Sequence, residues 1–209
     1  MSIPKFYNCI FKPRKMLTPP NFSTNVKVKA FPKFLTPYYS FFGPRWKKNN
    51  LTFVFMNYNL DSFNEEQLKN AFRQAIKIWV QHAPNLSITE SLNPNADIKI
   101  GFFSGSHGKH SVCKKGFNST IYAHSFEPPS GFDNDNINGQ IHLNSQTHFT
   151  LNPNDHDAID LVTIFAHELG HALGIDHSGY QDALMKASCT LPHRYLGEDD
   201  INAIQRLFP

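Results

Sequence analysis

The sequence predicts an α+β fold. Five short runs of alternating apolar character read as strands, and three stretches with helical spacing read as helices. Their order is one strand, one helix, four strands and two helices, which lacks the regular β/α alternation of a doubly wound sheet. The chain has 209 residues, enough for one domain and an additional segment.

The additional segment comes first. Residues 1–44 are rich in Pro, Lys and aromatics without a sustained period, and read as a basic, extended N-terminal arm. Residues 1–60 hold ten Lys/Arg and no acid, so the remaining ten Lys/Arg and all seventeen acids fall in residues 61–209. Charges of opposite sign favour an arm packed on its own acidic body over one that binds nucleic acid or anionic lipid. Pro4, Lys5, Lys12, Pro13 and Arg14 interrupt every apolar run near the start, so no secretory signal is visible. No window has the roughly 18 consecutive apolar residues of a membrane span, and three widely spaced cysteines, Cys9, Cys113 and Cys189, exclude a dense disulfide framework while leaving room for one bridge.

Residues 45–209 read as the folded body. The run 51–56 (LTFVFM) is β-rich. Asn64 caps a helix with Gln67 in the capping-box position, Leu68, Phe72, Ile76 and Trp79 with Val80 line its inner face, and Pro84 ends it. The runs 86–91, 97–102, 121–126 and 140–144 complete a sheet of about five strands. A second helix spans about 157–173 with Gly174 placed to end it, and a third spans about 198–208 with carboxylates in its first turn, as the helix dipole prefers.

The chemistry lies on and after the second helix. Of eleven histidines, nine fall between His107 and His177, and the stretch ends as HExxHxxGxxH from His167 to His177. His167 and His171, four residues apart, project from one helical face toward a common point. A third ligand requires the backbone to turn back, which the positive φ open to Gly174 permits, and His177 follows. Three neutral imidazoles suit a zinc ion with one open position for water. Glu168 stands beside such an ion rather than on it, as a general base for peptide hydrolysis does.

These residues carry a resemblance. HELGHALGIDHS (167–178) followed by DALM (182–185) resembles the zinc site and Met-turn of the metzincins, and Ser178 is what the matrix metalloproteinase, or matrixin, branch has after the third histidine. Residues 41–58, 96–102 and 197–208 are similar to the start, the third strand and the last helix of a matrixin catalytic domain. The resemblance implies a twisted, mixed five-stranded sheet with two long helices, a small C-terminal subdomain with one helix, and a monomeric zinc endopeptidase in which Met185 floors the metal. It further implies an extended polypeptide substrate laid along the sheet edge near 121–126, and an extracellular setting. A catalytically silent binding module is the alternative class, which the intact Glu168 opposes.

Some positions depart from the pattern. His107, His124 and His142 stand where matrixins hold a second, structural zinc, but Lys109 occupies the aspartate position, with His110 beside it as a substitute. Gln140, Asn144 and Thr147 replace acidic calcium ligands, leaving only Asp133 and Asp135 for a weak site, so calcium dependence is not expected. Lys186 and Ala187 follow the Met-turn where matrixins have Tyr-Pro, so pocket preference does not carry over. No haemopexin-like domain follows the likeness, and Cys9 lacks the context of the family's latency cysteine.

Overall fold

The computed structural model describes residues 6–10, 39–41, 43–129, 137–188 and 192–209, the first of these segments by its backbone. Each of the eight expected elements is present. Strand β1 is Phe6–Ile10, β2 Asn50–Phe55, β3 Ser87–Glu90, β4 Ile98–Phe103, β5 Ile121–Phe126 and β6 Gln140–Asn144. Helix α1 is Glu65–Val80, α2 Ser111–Lys115, α3 Leu161–Leu173 and α4 Glu198–Leu207, and a two-residue pair, β7 (Phe149–Thr150) and β8 (Ile159–Asp160), precedes α3.

Asn64 opens α1 as its sequence requires. Its side chain accepts from the Gln67 N–H at 2.9 Å, and the Gln67 side chain accepts from the Asn64 N–H at 2.9 Å. Two otherwise orphaned donors are thereby satisfied. Leu68, Phe72, Ile76 and Trp79 are buried, and the Trp79 indole N–H donates to Ala166 O at 2.8 Å, joining α1 to α3. Trp46 likewise donates to Ala172 O at 2.9 Å, so two indoles hold α3 at carbonyls six residues apart. Every residue of α3 is buried, which explains why its stretch shows weaker amphipathic contrast than α1. Phe53, Phe55, Phe72, Phe102 and Phe165 fill the space between sheet and helices in edge-to-face pairs.

The sheet order is β1-β5-β6-β4-β2-β3. Strands β3, β2, β4 and β6 are mutually parallel, while β5 is antiparallel to β6. This is the mixed five-stranded sheet expected, with one addition. The segment read as arm supplies a sixth strand, β1, which lies antiparallel on β5 with Phe6 opposite Phe126, Tyr7 opposite Ser125 and Asn8 opposite His124. Order therefore does not begin at Trp46, because Phe41 also bridges Ile175. Residues 11–38, and with them most of the basic arm, lie outside the described residues. Among the described residues no helix is long and apolar enough to cross a membrane.

Candidate metal centre and active site

Asp160 caps α3, accepting from the Thr163 N–H at 2.7 Å and from the Thr163 hydroxyl at 2.6 Å, and pairs with Arg194. The helix that carries His167 and His171 is thus fixed at its start. At its end Gly174 has φ 110°, and the Ile175 N–H closes the last turn on Gly170 O at 3.0 Å. That left-handed exit swings the chain back and delivers His177. The ring centroids of His167 and His171 are 4.7 Å apart, of His171 and His177 4.8 Å, and of His167 and His177 5.4 Å. One ring nitrogen from each lies within 4.8 Å of the others.

The donor chemistry fits a cation. His167 Nδ1 donates to Leu184 O and His171 Nδ1 to Ile175 O, both at 2.8 Å. A carbonyl only accepts, so the proton sits on Nδ1 and the Nε2 lone pair is the one presented. Burial, with the neighbouring imidazoles, holds His171 well below the usual histidine range and brings His177 to about 4. Neutral rings are what a metal needs.

Glu168 is wholly buried, and the Ser125 hydroxyl on β5 donates to its Oε2 at 2.5 Å. Met185 is also fully buried. A Cβ added at Gly170, between the two helical histidines, would lie 2.3 Å from Met185 Sδ and 2.7 Å from Trp79 Cζ2. The glycine of HELGH is therefore the space the Met-turn occupies. That turn is held from α4. Asp200 accepts from the N–H groups of Leu184, Met185 and Gly197, and Asp199 accepts from the Ser178 hydroxyl.

A family model of the matrixins matches residues 45–209. The chain belongs to the matrixin family. Among its relatives are stromelysin-1 of Mus musculus, 34% identical over 169 residues that cover 79% of this chain and 33% of that protein. Karilysin of Tannerella forsythia is 35% identical over 167 residues, 79% of this chain and 34% of that protein. Interstitial collagenase B of Mus musculus is 32% identical over 169 residues. The chain spans about a third of the length of these curated relatives. Matrixins are zinc metalloendopeptidases, and His167, His171 and His177 form a group able to hold a metal ion.

The positions corresponding to the second matrixin zinc also come together, with a different fourth member. His107, His124 and His142 gather around Cys113. Lys109 is exposed, and the His110 ring instead stands edge-on to Phe126 at 5.1 Å. Cys113, rather than His110, is the fourth group: His110 stands at the N-cap position of α2 without a side-chain capping bond, and this short helix, which has no signature in the sequence, turns Cys113 inward. Of the calcium positions, Gln140 accepts from His142 Nε2 at 2.8 Å, and the Asn144 amide donates to Asn118 O and Ile121 O. Asp133, Asp135 and Cys189 lie outside the described residues, as does the side chain of Cys9.

Ser125, Cys113, Asp199 and Asp200 were not legible as site residues. The two aspartates read only as complements to a helix dipole, and their burial depends on the distant Met-turn. Histidine burial gives the metal-free protein a defined acid response. His124 is brought to about 3 and His177 to about 4, chiefly by burial, against 6.5 for an exposed ring. Below pH 6.5 the unfolded chain takes protons that these rings refuse, so stability falls as pH drops from 6.5 toward 4. Asp200, raised by burial to about 6, acts in the opposite sense, but it is one group against several. Denaturant melts in chelator should show midpoints declining over that window; a midpoint independent of pH would contradict it.

Proposed function

We propose that this matrixin hydrolyses internal bonds of extended protein substrates outside the cell, matrix proteins among them, with His167, His171 and His177 as zinc ligands and Glu168 as general base. The convergence of three imidazole donors beside a fully buried carboxylate carries this reading. Zinc supplies Lewis-acid polarisation of a carbonyl and lowers the pKa of water. Glu168 accepts the proton of the attacking water and, as a carboxylic acid, passes it to the departing amine nitrogen. Ser125 fixes the orientation of the Glu168 carboxylate through its bond to Oε2. Digestion of casein or gelatin should stop in chelator and return on adding zinc; digestion indifferent to chelator would refute the reading.

Ser125→Ala should lower kcat about threefold to tenfold, the equivalent of one hydrogen bond of ~1 kcal/mol, with KM for a quenched peptide unchanged. An unaltered kcat would remove Ser125 from the machinery.

An extended substrate adds to the free edge of a sheet through main-chain hydrogen bonds. The edge beside Glu168 is β5, and β1 lies on it in the antiparallel sense. Substrate and β1 therefore compete for one row of backbone groups. Successive strand N–H groups alternate sides, so one of Tyr7 and Asn8 directs its N–H at β5. A Tyr7→Pro/Asn8→Pro double variant, with neither N–H, should release β1 and lower KM for a long peptide several-fold at constant kcat. An unchanged KM would show that β1 does not obstruct substrate.

A further inference from the structure

A second group of ligand-type side chains lies away from Glu168, on the loop between β4 and β5 and on the strands beneath it. Cys113 Sγ stands 3.7 Å from His124 Nε2 and 3.6 Å from His142 Nδ1, and those two nitrogens are 3.2 Å apart. His107 completes the group, with all four donor atoms within 4.8 Å of one another. A tetrahedral zinc with Zn–N of about 2.05 Å and Zn–S of about 2.3 Å requires N···N edges of ~3.3 Å and N···S edges of ~3.6 Å. The three short separations match those edges.

Hydrogen bonding among Cys113, His124 and His142 leaves His107 unaccounted for. His107 Nδ1 bonds Gly105 O at 2.8 Å, which places the proton there, and its buried Nε2 has no hydrogen-bond partner. His142 Nε2 is engaged by Gln140 Oε1, so its Nδ1 lone pair faces His124 and the sulfur. Acceptor atoms turned toward a common centre call for a cation.

The approach is built into the backbone. His107 N–H donates to Cys113 O at 2.8 Å and Phe117 N–H to Gly105 O at 3.0 Å, closing the loop upon itself. At Gly116, φ 73°, a Cβ would lie 2.4 Å from Gly105 C, so only glycine allows this closure. The His107 ring is stacked between Phe103 and Phe117 at 4.9 and 4.7 Å, and its orientation is fixed.

We infer that Cys113 is the thiolate ligand of a closed zinc site completed by His107, His124 and His142, in which sulfur stands where the sequence had suggested His110. Three imidazoles and a thiolate are a donor set for zinc rather than for calcium or magnesium. Four protein ligands leave no position for water, so the site is structural. It fastens residues 104–117 to β5 and β6, the strands that carry Ser125 and the substrate edge.

Cobalt exchanged into the full chain tests this, because only a thiolate ligand gives near-ultraviolet sulfur-to-cobalt charge transfer. In the Cys9→Ser/Cys189→Ser double variant Cys113 is the sole thiol, and the charge-transfer band should be present at full strength. It should vanish in Cys113→Ser, whose affinity for the second ion should fall more than about 100-fold, beyond the 10- to 100-fold typical of outer-shell changes. His171→Ala, which breaks the other cluster, should keep the band while losing activity, so failure of the catalytic reading is separable from failure here. Absence of the band from the double variant, or its survival in Cys113→Ser, would overturn the assignment.

Discussion

Glu168→Gln is expected to slow peptide hydrolysis by about 10²- to 10⁴-fold, the range attributable to a positioned proton-transfer group. The amide fills the same buried space and retains an oxygen to accept the Ser125 hydroxyl. It cannot take a proton from water. The variant should therefore fold and bind zinc like the parent, with the loss confined to kcat. Zinc content, thermal midpoint and kcat on one quenched-fluorescent peptide suffice to check it. A kcat within threefold of the parent would remove Glu168 as the base.

Gly170→Ala is the second large effect, and its sign opposes helix propensity. An exposed helical glycine replaced by alanine stabilises by roughly 1 kcal/mol. At Gly170 the added methyl would sit 2.3 Å from Met185 Sδ and 2.7 Å from Trp79 Cζ2, both in fully buried side chains. Either α3 or the Met-turn must shift, and overpacking of this kind costs about 1–3 kcal/mol. The Met-turn also supplies the Leu184 carbonyl that orients His167. A displacement near 1 Å at a reacting centre costs on the order of 10²-fold, so kcat/KM should fall by about that factor together with the melting temperature. A more stable, fully active Gly170→Ala protein would show that the contact between helix and Met-turn is slack.

Much of this was legible because it is local. The capping box of α1 needs two residues three apart, and the convergence of His167, His171 and His177 needs one helical turn and one left-handed glycine. What escaped depends on partners remote in the chain. Phe6–Ile10 becomes a strand only because β5, more than a hundred residues later, offers it an edge. Cys113 joins three histidines only because a five-residue helix, too short to show a period, turns it inward. Ser125 reaches Glu168 through the register of β5 against α3 rather than through any motif. Asp199 and Asp200 present the same contrast: their place in the first turn of α4 was evident, while their bonds to Ser178 and the Met-turn were not.

In the proposed site His167, His171 and His177 hold one zinc ion beside Glu168. An anomalous difference map from a crystal of the full chain, recorded on both sides of the zinc absorption edge, addresses it directly. A peak equidistant from the Nε2 atoms of His167, His171 and His177, at about 2.0–2.1 Å from each, is expected. Zinc-replete crystals with no peak among those three rings would contradict it.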